Sequence, residues 1–200
     1  VDAGISYSLS GTDASAFDIV AETGVVTLKA SADYETKASY SINVIATDGS
    51  GNSATQAITI TVTDLNESPI AISLSSSSID ENSPGAIVGT LSTTDVDSGD
   101  SHTYALSGTD ANSFEIVDGQ LKLKNTVPAN YEAKSSYAVT VTATDSGNLT
   151  YSDDFTVSVQ DENESPTAIT LSNSSIDENS AGAVIGALST TDVDGGDSHT

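Results

Sequence analysis

The chain has 200 residues, carries 29 Asp and Glu against 5 Lys and Arg, and has a formal charge of −24. That balance excludes nucleic acid and anionic membrane surfaces as partners, because both recruit cationic proteins; it points to a metal-binding or strongly solvated protein. There is no cysteine, so no disulfide supports the fold, and no apolar run approaches the roughly 20 residues of a membrane span, so no direct membrane insertion is expected.

In chain order, the segment 68–164 shows the period-two apolar pattern of strands with one buried face. Short strands are predicted at 72–74, 87–91, 104–106, 114–117 and 121–123. Two longer ones follow. Tyr137, Val139, Val141 and Ala143 alternate with Ala138, Thr140, Thr142 and Thr144, and Phe155, Val157 and Val159 alternate with Thr156, Ser158 and Gln160. Gly, Asn, Asp and Ser turns separate them. The only helical signal is a single turn at 13–17 and another at 110–114. Seven strands at this spacing imply a Greek-key sandwich.

The sequence is also repetitive. The block beginning SPIAISLSSSSIDENS at Ser68 returns at Ser165 as SPTAITLSNSSIDENS, 97 residues later, and YSLSGTDASAFDIV (7–20) returns as YALSGTDANSFEIV (104–117). A period this long is that of separately folded domains, not of a solenoid. The boundary motifs DLNESP (64–69) and DENESP (161–166) divide the chain into three parts. Residues 1–67 form a first repeat without its first two strands. Residues 68–164 form a complete second repeat, and 165–200 supply the first two strands of a third. The expected architecture is all-β: tandem seven-stranded, Ig-like sandwiches arranged as a rod. The broken ends read as a window on a longer protein. They also raise the expectation that residues 165–200 of one molecule complete residues 1–67 of another, a strand-complemented self-association.

Acids and amides recur in four groups. The first is Glu81 in IDENS, repeated as Glu178. The second is Asp33 and Glu35 in ADYE, repeated as Asn130 and Glu132 in ANYE. The third is the boundary itself, Asp64, Asn66 and Glu67, then Asp161, Asn163 and Glu164. The fourth is Asp95 and Asp97 in TTDVD, repeated as Asp192 and Asp194. A further acid, Asp48 or Asp145, ends the long strand of each of the first two repeats. Dense oxygen ligands are the chemistry of Ca²⁺, which takes six to eight oxygens at about 2.3–2.6 Å.

These motifs, in this order along the whole chain, resemble the calcium-binding motifs of the cadherin repeat. The resemblance implies calcium at the junctions between repeats, usually three ions per junction. It assigns Asp33, Glu35, Asp64, Asn66 and Glu67, with Asp95, Asp97 and Asp145 across the boundary, to the first junction. It assigns Glu81, Glu132, Asp161, Asn163 and Glu164, with Asp192 and Asp194, to the second. Asp33, Glu35, Asp64, Glu67, Asp95, Asp97 and Asp145 bring seven carboxylates, so three Ca²⁺ would leave a net charge near −1. The sequence departs from the animal pattern: the linker reads D-x-N-E, Asn130 stands for an acid, Tyr34 and Tyr131 stand for Arg, and there is no tryptophan. The shortened linker is similar to that of bacterial cadherin-like repeats in surface adhesins.

Other chemistry is set aside. DVDSGD (95–100) has Gly99 and Asp100 in the wrong order for an EF-hand loop. His102 and His199 share one repeat position where the first repeat has Ile5, and no nucleophile pairs with either, so no enzyme is expected. The expected function is an extracellular, calcium-rigidified adhesion or spacer region of a large, bacterial surface protein. Its expected partners are adjacent repeats and, through homophilic contact, further copies of itself. The alternatives are a calcium-dependent polysaccharide-binding module, with Tyr34, Tyr131 and Tyr151 as its aromatics, and a metal-independent Ig-like spacer.

Overall fold

A computed structural model describes residues 4–179 and 181–195; His199 lies outside them. The described chain divides into two compact units. The first comprises the residues up to Glu67 together with Val96–Gly99, and the second Ser68–Asp95 and the residues from Asp100 onward.

In the first unit, β1 (Ser6–Ser10), β4 (Ser39–Thr47) and β5 (Ser53–Thr61) form an antiparallel sheet in the order β1-β4-β5. A separate ribbon pairs β2 (Phe17–Ile19) with β3 (Val26–Leu28). Among the described residues of this unit, Phe17 on β2 and Ile42 on β4 are the buried hydrophobic ones. Val20, Val25 and Leu28 on and beside the ribbon remain exposed.

The second unit holds a complete sandwich. One sheet has the order β10-β11-β8-β6, built from β6 (Ala71–Leu74), β8 (Ile87–Thr94), β10 (Phe114–Val117) and β11 (Gln120–Leu123). The other has the order β7-β13-β12-β9, built from β7 (Ser78–Asp80), β9 (Thr103–Ser107), β12 (Ser136–Thr144) and β13 (Thr150–Gln160). Their facing side chains make the core: Val88, Phe114, Leu121 and Leu123 from one sheet meet Ile79, Tyr137, Val139, Val157 and Val159 from the other. A second cluster of Ile72, Leu91, Val141 and Ala143 continues it. The alternation read along 137–143 and 155–159 is therefore the inward face of β12 and β13. With no disulfide, this burial and the ladders carry the stability.

Segments 68–164 contain eight strands where seven were expected. The extra one is β7, which pairs parallel with β13 over Ser78–Asp80. Three residues are too few to display an alternation, so the sequence could not announce it. The first strand of this repeat thus changes sheets, pairing with β8 as β6 and with β13 as β7. Gly89 permits the crossing. A Cβ there would lie 2.8 Å from the Ser76 backbone nitrogen, closer than a side chain tolerates, so residues 75–77 pack directly on the β8 backbone. The same geometry recurs at Gly186, where a Cβ would lie 2.8 Å from the Asn173 nitrogen. There β14 (Ala168–Leu171) pairs with β15 (Leu188–Thr191) as β6 pairs with β8.

The helical turns expected at 13–17 and 110–114 are 3₁₀ turns, Ala14–Ala16 and Ala111–Ser113. Each is fixed by the aspartate before it. Asp110 accepts the backbone N–H of Ala138 at 2.8 Å and the Lys134 ammonium, and that ammonium lies 4.7 Å above the Tyr137 ring. Tyr137 meets Phe114 edge to face at 5.6 Å. Asp13, Lys37, Tyr40 and Phe17 repeat the arrangement in the first unit, with the Ser41 N–H 2.7 Å from Asp13 and the rings 5.3 Å apart. These hydrogen bonds, first to the lysine and then to the backbone, hold the Asp13 and Asp110 carboxyls below the usual aspartate range.

Leu121 is fully buried, whereas Leu28 is 38% exposed. Leu121→Ala should therefore cost about 2–5 kcal/mol and Leu28→Ala less than about 1 kcal/mol, as read by urea unfolding of the chain. Equal costs would show that the β2–β3 ribbon is packed as tightly as β10–β11.

Candidate metal centre

The acids lie where strands end, in turns whose backbone positions the sheets dictate. In the first unit, Glu35 sits in the turn before β4, Asp64 and Glu67 follow β5, and Asp97 lies in the Val96–Gly99 turn. Ligand oxygens of Glu35, Asp64, Glu67 and Asp97 come within 4.8 Å of one another. The Glu67 backbone N–H donates to Asp97 Oδ2 at 2.8 Å, and the Asn66 amide donates to the Glu67 carbonyl at 3.0 Å. Loss of hydration pushes the Glu67 carboxyl above its usual range, and the charges of Glu35, Asp97 and Asp64 push it further.

The second unit carries three more such groups, again with ligand oxygens within 4.8 Å of one another: Glu81, Glu132 and Asp161; Glu132, Glu164 and Asp194; and Asp95, Asp100 and Asp145. Glu132 belongs to the first two, so five acids form one continuous cluster. Glu81 is 2% exposed. Its charge is held by two backbone donors, Tyr131 N–H at 2.9 Å and Glu162 N–H at 2.8 Å. Glu164 N–H donates to Asp194 Oδ2 at 2.8 Å, repeating the Glu67–Asp97 bond. Asn163 and Asp192 stand in the same turns: Asn163 Nδ2 donates to the Glu164 carbonyl at 2.9 Å, and Asp192 Oδ1 accepts the Asp194 N–H at 3.3 Å. A cleft of 280 Å³ opens among Asp161, Asn163, Asp194 and Gly195. Glu164 Oε2 and Asp194 Oδ1 are buried without a hydrogen-bond partner, which is costly for a carboxylate unless a cation faces it. Loss of hydration raises the Glu164 carboxyl; the Asn82 amide opposes this, and the charges of Glu81, Asp194 and Glu132 reinforce it.

The third group is the most enclosed. Asp145 is 5% exposed and accepts the Leu149 N–H at 2.8 Å. Asp100 accepts the Ser146 hydroxyl at 2.9 Å through Oδ1, while its Oδ2 is buried and unpaired. His102 Nε2 lies 2.9 Å from Asp95 Oδ2.

The structure sorts the expected ligands differently from a simple division by junction. Asp97 clusters with Glu35, Asp64 and Glu67, whereas Asp95 and Asp145 cluster with Asp100. Asp33 joins none of these groups. Both Asp33 oxygens accept from Thr36, at 2.9 and 3.0 Å, and Asn130 Oδ1 accepts the Ala133 N–H at 2.7 Å; each closes its own turn. Those Thr36 bonds, the backbone one first, hold the Asp33 carboxyl below its usual range. Asp100 is the acid that sequence reasoning passed over. Its signal was present, since DVDSGD returns as DVDGGD with Asp197 in the same place. Of the aromatics considered for sugar stacking, Tyr34 and Tyr131 are each 38% exposed, while Tyr151 packs against the core cluster.

The sequence matches the Cadherin domain family over residues 1–63 and 75–160. The chain belongs to the cadherin domain family. Cadherin domains are extracellular adhesion modules that bind calcium and are not enzymes. Solved structures with the same fold include the protocadherin GammaB4 extracellular domain, 28% identical with a TM-score of 0.70 over 95% of this chain and 32% of the other. A protocadherin gammaB7 EC3-6 cis-dimer structure is 28% identical, with a TM-score of 0.68 over 96% of this chain and 49% of that one. Human protocadherin-24 EC1-2, at 23% identity and a TM-score of 0.64, covers 80% of this chain and 84% of its own, and shows the fold alone. The chain therefore spans 32% and 49% of the first two relatives. Among the described residues no helix is long and apolar enough to cross a membrane.

The two classes of carboxyl give the metal-free chain a bell-shaped response to acid. Glu67 and Glu164 have raised folded values, so the folded state binds their protons before the unfolded state does. Stability should rise as the pH falls from neutral through those values. Asp13, Asp33, Asp48 and Asp110 have lowered values, so their contribution is present above the ordinary aspartate range. It is lost as the pH falls through their folded values. Thermal melts in chelator should peak at mildly acidic pH; a monotonic fall from neutral would contradict the crowding of Glu67 and Glu164.

Proposed function

We propose that this segment is a calcium-rigidified adhesion or spacer region of an extracellular surface protein, with repeats bounded as 1–67, 68–164 and 165–200. The observation that carries the reading is the convergence of Glu35, Asp64, Glu67 and Asp97 to within 4.8 Å. In sequence these acids belong to the end of one repeat and an early turn of the next. Four carboxylates at that spacing repel one another unless a cation of matching charge lies among them. An all-oxygen donor set with flexible side chains suits Ca²⁺ better than Mg²⁺, which demands a smaller and more regular shell.

Glu35, Asp64, Glu67 and Asp97 would hold calcium where the first repeat gives way to the second, with Asn66 beside them. Asp95, Asp100 and Asp145 would form a further calcium-holding group. Glu81, Glu132, Asp161, Glu164 and Asp194, with Asn163 and Asp192, would hold it where the second gives way to the third. Bound calcium supplies the positive charge that offsets their repulsion. Ligands drawn from both sides of a linker then restrict its motion, which turns a string of repeats into a rod. At ten times the dissociation constant, one ion adds about 1.4 kcal/mol to the folded state. Three cooperative ions add about 4 kcal/mol, a large share of a domain's stability. The D-x-N-E linker and the absence of tryptophan support a bacterial surface protein as the parent. Partners of the same kind, copies of the chain itself, fit this reading; a gammaB7 protocadherin relative was solved as a cis-dimer.

Chelation should lower the melting temperature and increase proteolysis within residues 61–69 and 161–166, and millimolar calcium should reverse both while magnesium reverses them poorly. Identical melting curves in calcium and in chelator would refute the reading.

A further inference from the structure

We propose that His102 is a positioning residue that fixes the Asp95 carboxylate and so sets how tightly the Asp95, Asp100 and Asp145 group holds calcium; this rests on the calcium reading above. The two side chains are enclosed, at 12% exposure for His102 and 4% for Asp95, and Nε2 stands 2.9 Å from Oδ2. An ionised carboxylate only accepts, so the histidine must carry a proton on Nε2. That bond fixes the rotation of the carboxylate about its Cβ–Cγ axis. Held ligands bind more tightly than free ones because less motion is lost on binding, and hydrogen-bond partners outside the ligand shell commonly contribute this way.

The backbone explains why His102 can serve. It directly precedes β9, and the β9–β12 ladder pairs Thr103 with Thr144. Asp145 follows Thr144, so the end of one ladder positions both the histidine and the buried acid. Asp145 and Asp100 are anchored by neighbours of their own, the Leu149 N–H and the Ser146 hydroxyl. His102 is the matching anchor for Asp95. The first repeat has Ile5 at this position and cannot supply a donor there. In that repeat Asp48, the counterpart of Asp145, is held by Ser50 and Asn52 within its own turn.

The test compares the whole chain as wild type, His102→Leu and His102→Gln. Calcium affinity is read by calorimetry, and the number of waters on a substituted terbium ion by its luminescence lifetime. His102→Leu should weaken one class of calcium site about tenfold and admit an extra water to terbium, and His102→Gln, which keeps a neutral donor, should restore most of the affinity. Unchanged affinity in His102→Leu overturns the proposal, whatever happens to the metal-free melting temperature. A loss that His102→Gln fully shares overturns the hydrogen-bonding role. Wild type that binds no calcium overturns the calcium reading itself, a separate result. Should the leucine variant fail to fold, ¹⁵N spectra of the calcium-loaded wild type decide: the proton on Nε2 supports the role, and the proton on Nδ1 overturns it.

Discussion

Carboxylates of like charge held a few ångströms apart are the constraint around which this molecule is organised. Repulsion at that distance would drive them into solvent if their positions were free. They are not free, because backbone amides grip the charges from fixed points. Glu81 is held by Tyr131 and Glu162, Asp97 by Glu67, and Asp194 by Glu164. Tyr131 lies in a turn before β12, and the other donors lie in the segments that follow β5 and β13. The β framework therefore holds like charges close together, and the Glu67 and Glu164 carboxyls are raised first by lost hydration and then by these neighbouring charges. A cation turns the same arrangement from repulsive to attractive, so metal affinity and folding become one equilibrium.

That crowding requires a framework stiff enough to resist it. The second unit supplies one without a disulfide, through a core that reaches 0% exposure at Leu121, Leu123, Val141 and Val157. The repeated Asp–Lys–Tyr–Phe arrangement adds a polar anchor at the start of the long central strand. Asp110 grips Ala138 near the head of β12 and Lys134 just ahead of that strand. The far end of β12 runs into Asp145. One strand thus connects the anchor to a buried acid, and its register fixes both.

Much of this was legible in the sequence because it is written in periods. Alternation at 137–143 and 155–159 marked the inward faces of β12 and β13. The acids that converge were mostly named from their recurrence. What escaped has physical reasons. β7 is three residues long and exists by pairing with β13, a contact that no local pattern encodes. The Asp33 oxygens close a turn with Thr36, a local pairing that the spacing of the motif does not announce. Asp13 and Asp110 read as ordinary turn residues, since their lysine partners lie 24 residues away.

The acid groups also differ in how they bear their charge without metal. Glu35 and Asp64 are exposed, so water screens part of their charge. Asp145 and the Asp95 side chain are nearly dry, at 5% and 4% exposure, and water reaches them less. Fixed neighbours meet them: the Leu149 N–H donates to Asp145, and His102 Nε2 lies 2.9 Å from Asp95 Oδ2. Fixed donors do not reorganise when a cation arrives, whereas a hydration shell must be stripped. The enclosed group is therefore the better preformed of the two, and the exposed group loses more freedom on ordering. A cation that binds the enclosed group meets ligands already in place. The exposed group must gather its ligands as it binds, and that gathering is what can restrain a linker.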